Sequence, residues 1–95
     1  MGKISRAKAK QLIVDGGGAR LVRLFWHYTD GWREVAVRPE ISGFREWERV
    51  GSNMVRFAGG SRLDFDGSEC HYDGHELEIR YDKTRLVYDF YREGL

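Results

Sequence analysis

Residues 63–79 read LDFDGSECHYDGHELEI, and two Asp-Gly pairs divide this stretch into three short segments. An Asp-Gly pair between alternating apolar and polar residues is typical of a two-residue β-hairpin turn. Counting outward from both turns places Leu63 opposite Cys70, and Cys70 opposite Leu77, on one face of a sheet. The stretch therefore predicts three adjacent antiparallel strands with an apolar face toward a core.

The other face of these predicted strands is acidic. The same count places Asp64 opposite Glu69 and Glu69 opposite Glu78, and one of two registers of the last hairpin adds Asp89. A three-residue glycine loop in the preceding hairpin sets Arg56 opposite Asp64 as a counter-charge. Like charges directly opposite one another destabilise a sheet. This acidic row therefore indicates either a solvated face held by a good core or a surface for a positively charged partner.

The first half of the chain predicts a helix followed by a hairpin. Ser5 is a candidate N-cap, most of residues 6–14 are strong helix formers, and three consecutive glycines at 16–18 end the helix. The next residues are rich in β-formers, and a two-residue turn at Asp30-Gly31 pairs Trp26 with Val35. Residues 40–53 are compatible with either a short helix over 44–50 or a long loop.

Together these elements predict one α+β domain over residues 1–95. We expect the helix, at about residues 5–14, to pack on an antiparallel meander sheet at about residues 20–91. A sheet of about six or seven strands twists and curves strongly, and a half-open barrel is one form of that curvature.

Composition and charge limit the classes of protein. The chain has one cysteine, which excludes an internal disulfide framework and suits a reducing compartment. No segment approaches the roughly 20 apolar residues of a membrane span, so we expect a cytoplasmic protein without membrane association. Residues 1–62 hold 12 basic and 6 acidic side chains, whereas residues 63–95 hold 4 and 9. This split predicts a surface with two signs of charge.

Candidate catalytic and metal-binding side chains cluster near Cys70 but do not converge. Cys70 and His71 are neighbours on a predicted strand, so their side chains point to opposite faces. A zinc site or a Cys-His nucleophile is therefore not favoured, and no cofactor is predicted. Carboxylates on adjacent strands leave a small metal-dependent nuclease as one alternative, although no lysine accompanies the acidic row.

Basic and aromatic residues in the first half support a second alternative, a single-stranded nucleic-acid-binding module. Such modules combine cationic side chains with aromatic rings on a sheet. The candidate residues are Arg20, Arg23, Trp32, Arg33 and Arg38. The near-neutral net charge and the lack of a known RNA-binding signature count against it.

The leading hypothesis is a small non-enzymatic inhibitor that acts by protein–protein contact. Its acidic row, headed by Arg56, would bind a basic surface of a larger protein, such as a nucleic-acid-binding cleft. A short, single-domain, motif-free chain with both signs of charge resembles in type the phage-encoded anti-CRISPR and anti-restriction proteins, although no stretch of residues carries the resemblance. An exposed sheet edge leaves a monomer and a homodimer as alternatives.

Overall fold

The computed structural model describes residues 2–92, and within them the chain forms one helix and nine strands. The helix α1 spans Arg6–Asp15. The strands are β1 Gly2–Ile4, β2 Gly18–Tyr28, β3 Gly31–Val35, β4 Phe44–Val50, β5 Met54–Phe57, β6 Arg62–Asp64, β7 Glu69–Tyr72, β8 Leu77–Arg80 and β9 Thr84–Asp89. The fold is α+β, as the sequence predicts.

All nine strands belong to one antiparallel sheet. The strand order is β1-β7-β8-β9-β2-β4-β5-β6, and β3 pairs with β2 beside this path. The long strand β2 is central, because its residues 20–26 pair with β9 on one side. On the other side of β2, residues 18–20 pair with β4 and residues 24–28 pair with β3. The strands β3 and β4 therefore lie one after the other along the same side of β2.

The helix begins where a local hydrogen bond fixes it. The Ser5 hydroxyl accepts a hydrogen bond from the Lys8 backbone N–H at 3.0 Å and so caps the first turn. Ala9 and Ile13, one turn apart on α1, are both fully buried against the sheet. Arg6 ties the helix to the sheet side by donating a hydrogen bond to the Ser68 carbonyl oxygen at 2.9 Å.

The core lies between α1 and one face of the sheet. Its sheet-side members alternate with exposed residues along their strands, as expected for a half-buried sheet. The largest fully buried side chains are Phe65, Ile13, Leu77, Ile79, Val55 and Cys70. Leu63, Cys70 and Leu77 all belong to this core, so the apolar face predicted from the two Asp-Gly segments is confirmed.

Strand number and topology differ from the prediction in three ways. The predicted count of six or seven strands is too low, and the sheet is not closed into a barrel. Residues 44–50 form strand β4 instead of a helix or loop, because one edge of this segment pairs with β2 and the other edge pairs with β5. The short strand β1, which sequence reasoning missed, pairs with β7 through Ile4 and Cys70.

The predicted pairing of Asp64 with Glu69 is wrong. Strand β6, which carries Asp64, pairs only with β5 among the described residues, whereas β7 pairs with β1 and β8. β1 occupies the edge of β7 that the predicted hairpin would have used. The Asp66-Gly67 turn therefore connects two separate parts of the sheet, and buried Phe65 anchors the connection in the core.

The predicted pairing of Glu69 with Glu78 is also wrong, by a register shift of two residues. Glu69 lies opposite Arg80, and His71 lies opposite Glu78. The reason is the side chain of Asp73, which accepts hydrogen bonds from the backbone N–H groups of His75 and Glu76 at 2.8 and 2.7 Å. These bonds stabilise a wider turn than the two-residue hairpin.

Two other hairpins differ in register from the prediction, and the last hairpin adopts one of the two registers left open for it. Asp89 does not lie beside Glu78, because β8 and β9 pair Leu77 with Tyr88 and Glu78 with Val87. Arg56 lies opposite Arg62, not Asp64. In the first hairpin Trp26 lies opposite Arg33 rather than Val35. The β5–β6 and first-hairpin shifts are each of two residues, so the side chains keep their predicted faces.

Candidate functional site

The acidic row does not form one continuous negative surface. Its members lie on β6, β7, β8 and β9, and no two of them are directly opposite each other. Each carboxylate has a cationic neighbour. Asp64 pairs with Arg62 at 2.9 Å, Glu78 pairs with Arg80, and Asp89 pairs with Arg20 at 2.6 Å. The predicted counter-charge Arg56 pairs with Glu48 at 3.7 Å instead.

Glu69 has the most ion-pair partners of these acidic residues. Its carboxylate lies 3.2 Å from the Lys3 ammonium, 2.6 Å from His71 Nε2 and 3.7 Å from the Arg80 guanidinium. The hydrogen bond with His71, followed by that with Lys3, holds the pKa of Glu69 below its usual range. Glu69 is therefore compensated within the chain.

These pairs belong to a larger surface, which we call the charged face. It is the sheet face opposite the core, and it carries Glu69, His71, Glu78, Arg80, Arg85, Arg23 and Glu34. Basic and acidic side chains are mixed on it: Glu69 lies opposite Arg80, Arg80 lies opposite Arg85, and Arg23 pairs with Glu34 at 3.0 Å. Opposite charges offset one another there, so this face lacks the sustained negative potential that a continuous acidic row would produce.

The residues predicted for nucleic-acid binding divide between the two faces of the sheet. Arg23 and Trp32 lie on the charged face, where the Arg85 guanidinium covers the Trp32 ring at 4.2 Å from its centroid. Arg20 pairs with Asp89. Only Arg33 and Arg38 lie on or beside the opposite face of the β2–β3 hairpin. The five residues therefore do not form one stacking surface.

An apolar surface with exposed aromatic rings lies on that opposite face. Trp26 is 49% exposed, Tyr28 46% and Ile41 40%. They line a groove of about 470 Å³, which we call the aromatic groove. Its lining residues are Leu24, Trp26, Tyr28, Val35, Ala36, Arg38 and Ile41. Contiguous exposed apolar surface of this kind is typical of interaction sites.

The aromatic groove is exposed because the helix is too short to cover β2. A strand of eleven residues is about 36 Å long, whereas a helix of ten residues is about 15 Å long. The helix leads into β2 at Gly18, and Trp47 fixes it there by donating a hydrogen bond to the Val14 carbonyl oxygen at 3.1 Å. The far half of β2, with Trp26 and Tyr28, therefore continues the apolar face without a cover.

The alternation of Leu24, Trp26 and Tyr28 was visible in the sequence, but alternation does not distinguish a covered face from an open one. The signal that could have found the groove is the mismatch in length between the helix and the long strand. Ile41 had no signal of its own, because it joins the groove through the turn in which its N–H donates to the Arg38 carbonyl oxygen.

The catalytic and metal-binding candidates near Cys70 are not arranged for such chemistry. Cys70 is buried, and burial raises the pKa of its thiol, which disfavours the nucleophilic thiolate. Within residues 2–92 no group of His, Cys, Asp and Glu side chains is arranged to hold a metal ion. The same residues contain no helix with the length and apolarity to cross a bilayer.

A cleft of about 810 Å³ is lined by two arginines, Arg45 and Arg92. Arg45 donates a hydrogen bond to the Ala58 carbonyl oxygen at 3.1 Å, and Arg92 stacks on the Phe44 ring at 4.4 Å. Both side chains therefore bind parts of the chain together.

The chain matches no known family model, no curated protein and no solved structure. Function must therefore be inferred from the fold and its surfaces.

Proposed function

We propose that the protein is a small non-enzymatic binding protein that acts by contact with a larger protein, and that the aromatic groove is its contact surface. The observation that carries this proposal is the exposure of Trp26, Tyr28 and Ile41 on one apolar surface. Tryptophan, tyrosine and arginine are the residues most enriched among those that dominate binding energy at protein interfaces. Occupation of a partner's surface gives such a module a steric mode of inhibition.

The charge beside the groove favours an acidic partner surface over the basic one expected from the sequence. Arg38 lines the groove and has no ion-pair partner among residues 2–92. Arg33 lies opposite Trp26 and pairs with Asp30, so the preference for an acidic partner rests on Arg38. A basic partner would instead have to displace the Lys3 and Arg80 side chains from Glu69. Displacement of existing partners reduces the net gain from a new ion pair.

Affinity capture from a host lysate treated with nuclease tests this proposal. We expect wild-type protein to retain a partner, and the double variant Trp26→Ala/Tyr28→Ala to lose it. The matched control is Glu69→Lys/Glu78→Lys, which changes the charged face and should leave capture intact. The groove is not the contact surface if the control variant loses the partner while the groove variant keeps it.

A second candidate function, binding of single-stranded nucleic acid, is favoured by the position of Arg33 and Arg38 beside two exposed aromatic rings. Fluorescence anisotropy with labelled single-stranded oligonucleotides tests it. Nucleic-acid binding would weaken steeply with added salt and would be lost in the variant Trp26→Ala/Tyr28→Ala.

A further inference from the structure

The strand beside the aromatic groove has an unpaired edge. β3 pairs with β2 on one side, and no other described strand pairs with it. Its five residues, Gly31–Val35, contain no proline and no register shift. An unpaired strand edge presents backbone N–H and C=O groups that a further strand can bind. This edge and the groove are adjacent, because Val35 belongs to both.

Two charged side chains on β3 already have partners within the chain. Arg33 pairs with Asp30, and Glu34 pairs with Arg23 at 3.0 Å. Unpaired charges on an edge strand are a common protection against addition of another strand. Because both charges on β3 are compensated, an added strand would meet a weaker barrier of this kind.

We propose that the β3 edge and the aromatic groove together bind an extended segment of the partner protein as an added β-strand. This inference rests on the proposed function and names the form of the partner. Backbone hydrogen bonds to β3 would hold the segment, and alternate apolar side chains would enter the groove. A carboxylate on the segment would pair with Arg38, which lines the groove.

Nucleic acid fits this surface less well than a protein segment. Leu24, Val35, Ala36 and Ile41 supply aliphatic surface, which binds apolar side chains but offers no stacking face to a base. The Arg33 guanidinium also lies 5.4 Å from the centroid of the Tyr28 ring and covers one of its faces.

A second copy of the chain also fits less well. An antiparallel pair of β3 strands about a two-fold axis at Arg33 or Glu34 would set identical charges opposite each other, which is unfavourable. An axis at Val35 would need residues 36–38 to extend the strand, and those residues are not in a strand. An axis at Trp32 sets no identical charges opposite each other but pairs only residues 31–33 of each copy. A segment of a different protein can pair with all of β3 and is therefore favoured.

Selection of a random peptide library on the immobilised protein tests the inference. We expect enriched peptides with alternating apolar residues and at least one Asp or Glu. Binding should weaken by about tenfold or more in Trp26→Ala, as for a central interface aromatic. It should also weaken in Arg38→Glu, and that variant should select basic peptides instead. Tyr91→Ala removes a more exposed aromatic ring outside the groove and should leave binding unchanged.

Backbone binding is tested on the peptide, which avoids any loss of folding in the protein. Two peptides are compared, one methylated at the odd-numbered amides and one at the even-numbered amides. Only one of the two modifications should abolish binding, because only every second backbone N–H faces the neighbouring strand. On binding, hydrogen exchange should slow at alternate amides of β3.

Four results would overturn the inference. They are a library that yields no binder, binders that tolerate both methylation patterns, an oligonucleotide that binds in their place, and a dimer of the protein that Trp26→Ala dissociates. Capture that is kept by Trp26→Ala/Tyr28→Ala and lost by Glu69→Lys/Glu78→Lys in the lysate experiment would instead refute the proposed function. If capture depends on the groove but any of these four results is obtained, strand addition is refuted and the proposed function is not.

Discussion

Arg20 and Asp89 lie opposite each other on β2 and β9, and the Arg20 guanidinium donates two hydrogen bonds to the Asp89 carboxylate at 2.9 and 2.6 Å. Both side chains are mostly buried, with 24% and 21% of their surfaces exposed. The pair joins the central strand to its neighbour. A residue that the sequence assigned to partner binding therefore has a structural role.

The first prediction concerns this pair. Asp89→Asn should lower the free energy of unfolding by about 2 kcal/mol, because a charged hydrogen-bond acceptor is lost from a mostly buried site. The matched control, Glu34→Gln, weakens the exposed pair with Arg23 and should cost much less, because solvent screens an exposed ion pair. Urea unfolding measures both values. If both variants lose the same free energy of unfolding, burial of the Arg20–Asp89 pair does not increase its contribution to stability.

The second prediction concerns the close approach of β2 and β4. Gly18 has a φ of +148°, and a Cβ there would lie 2.0 Å from the Arg45 carbonyl oxygen. Gly18→Ala should therefore destabilise the fold by about 3 kcal/mol or more, since a clash with backbone adds to the conformational strain. Gly60→Ala is the control, because φ is +95° but no atom lies within 4 Å. It should cost about 1–2 kcal/mol. Thermal unfolding that ranks Gly60→Ala as the more harmful change would contradict the close approach.

The third prediction concerns the link between β6 and β7. Phe65 is 1% exposed, so Phe65→Ala should cost about 3–5 kcal/mol through lost burial and an unfilled cavity. Phe65→Leu should cost less, about 1–1.5 kcal/mol, and it remains measurable if the alanine variant does not fold. Ile41→Ala, in the aromatic groove, should change stability by less than either. A harmless Phe65→Ala substitution would mean that Phe65 does not anchor the connection.

The fourth prediction concerns the pH response of Glu69. Its pKa is lowered in the folded protein, first by the hydrogen bond with His71 and then by Lys3. Folding therefore favours the ionised carboxylate, and this contribution to stability is present at neutral pH and lost as pH falls through the folded pKa. NMR titration of the Glu69 side chain should give a higher pKa in His71→Ala and a smaller rise in Lys3→Ala. An unchanged pKa in His71→Ala would exclude the hydrogen bond as the main cause.

Local signals in the sequence predicted the helix and several faces of the sheet correctly. The helix over Arg6–Asp15 agrees with the predicted range of about 5–14 because the Ser5 cap and the following glycines act within a few residues. Leu63, Cys70 and Leu77 share the core for a similar reason. Side chains in a strand alternate with a period of two, so the apolar face of each strand can be predicted from the sequence of that strand alone.

The candidate site required the tertiary structure. The acidic row depended on Asp64, Glu69 and Glu78 lying side by side, and that arrangement needs the correct register and the correct neighbours. Registers that differ by two residues bury the same apolar side chains, so hydrophobic matching does not discriminate between them. The Asp73 side chain decided one register through its own hydrogen bonds. The sequence contained those atoms but did not indicate which turn they would stabilise.

The amino-acid sequence alone determined the class of fold, the helix and the direction in which most strand side chains point, since these follow from short-range geometry. Tertiary structure decided which strand edges meet, because several edges of similar pattern compete and only packing of the whole chain selects among them. In this protein β1 took the edge of β7, and α1 left the far half of β2 uncovered. The first outcome separated Asp64 from Glu69, and the second left Trp26 and Tyr28 exposed.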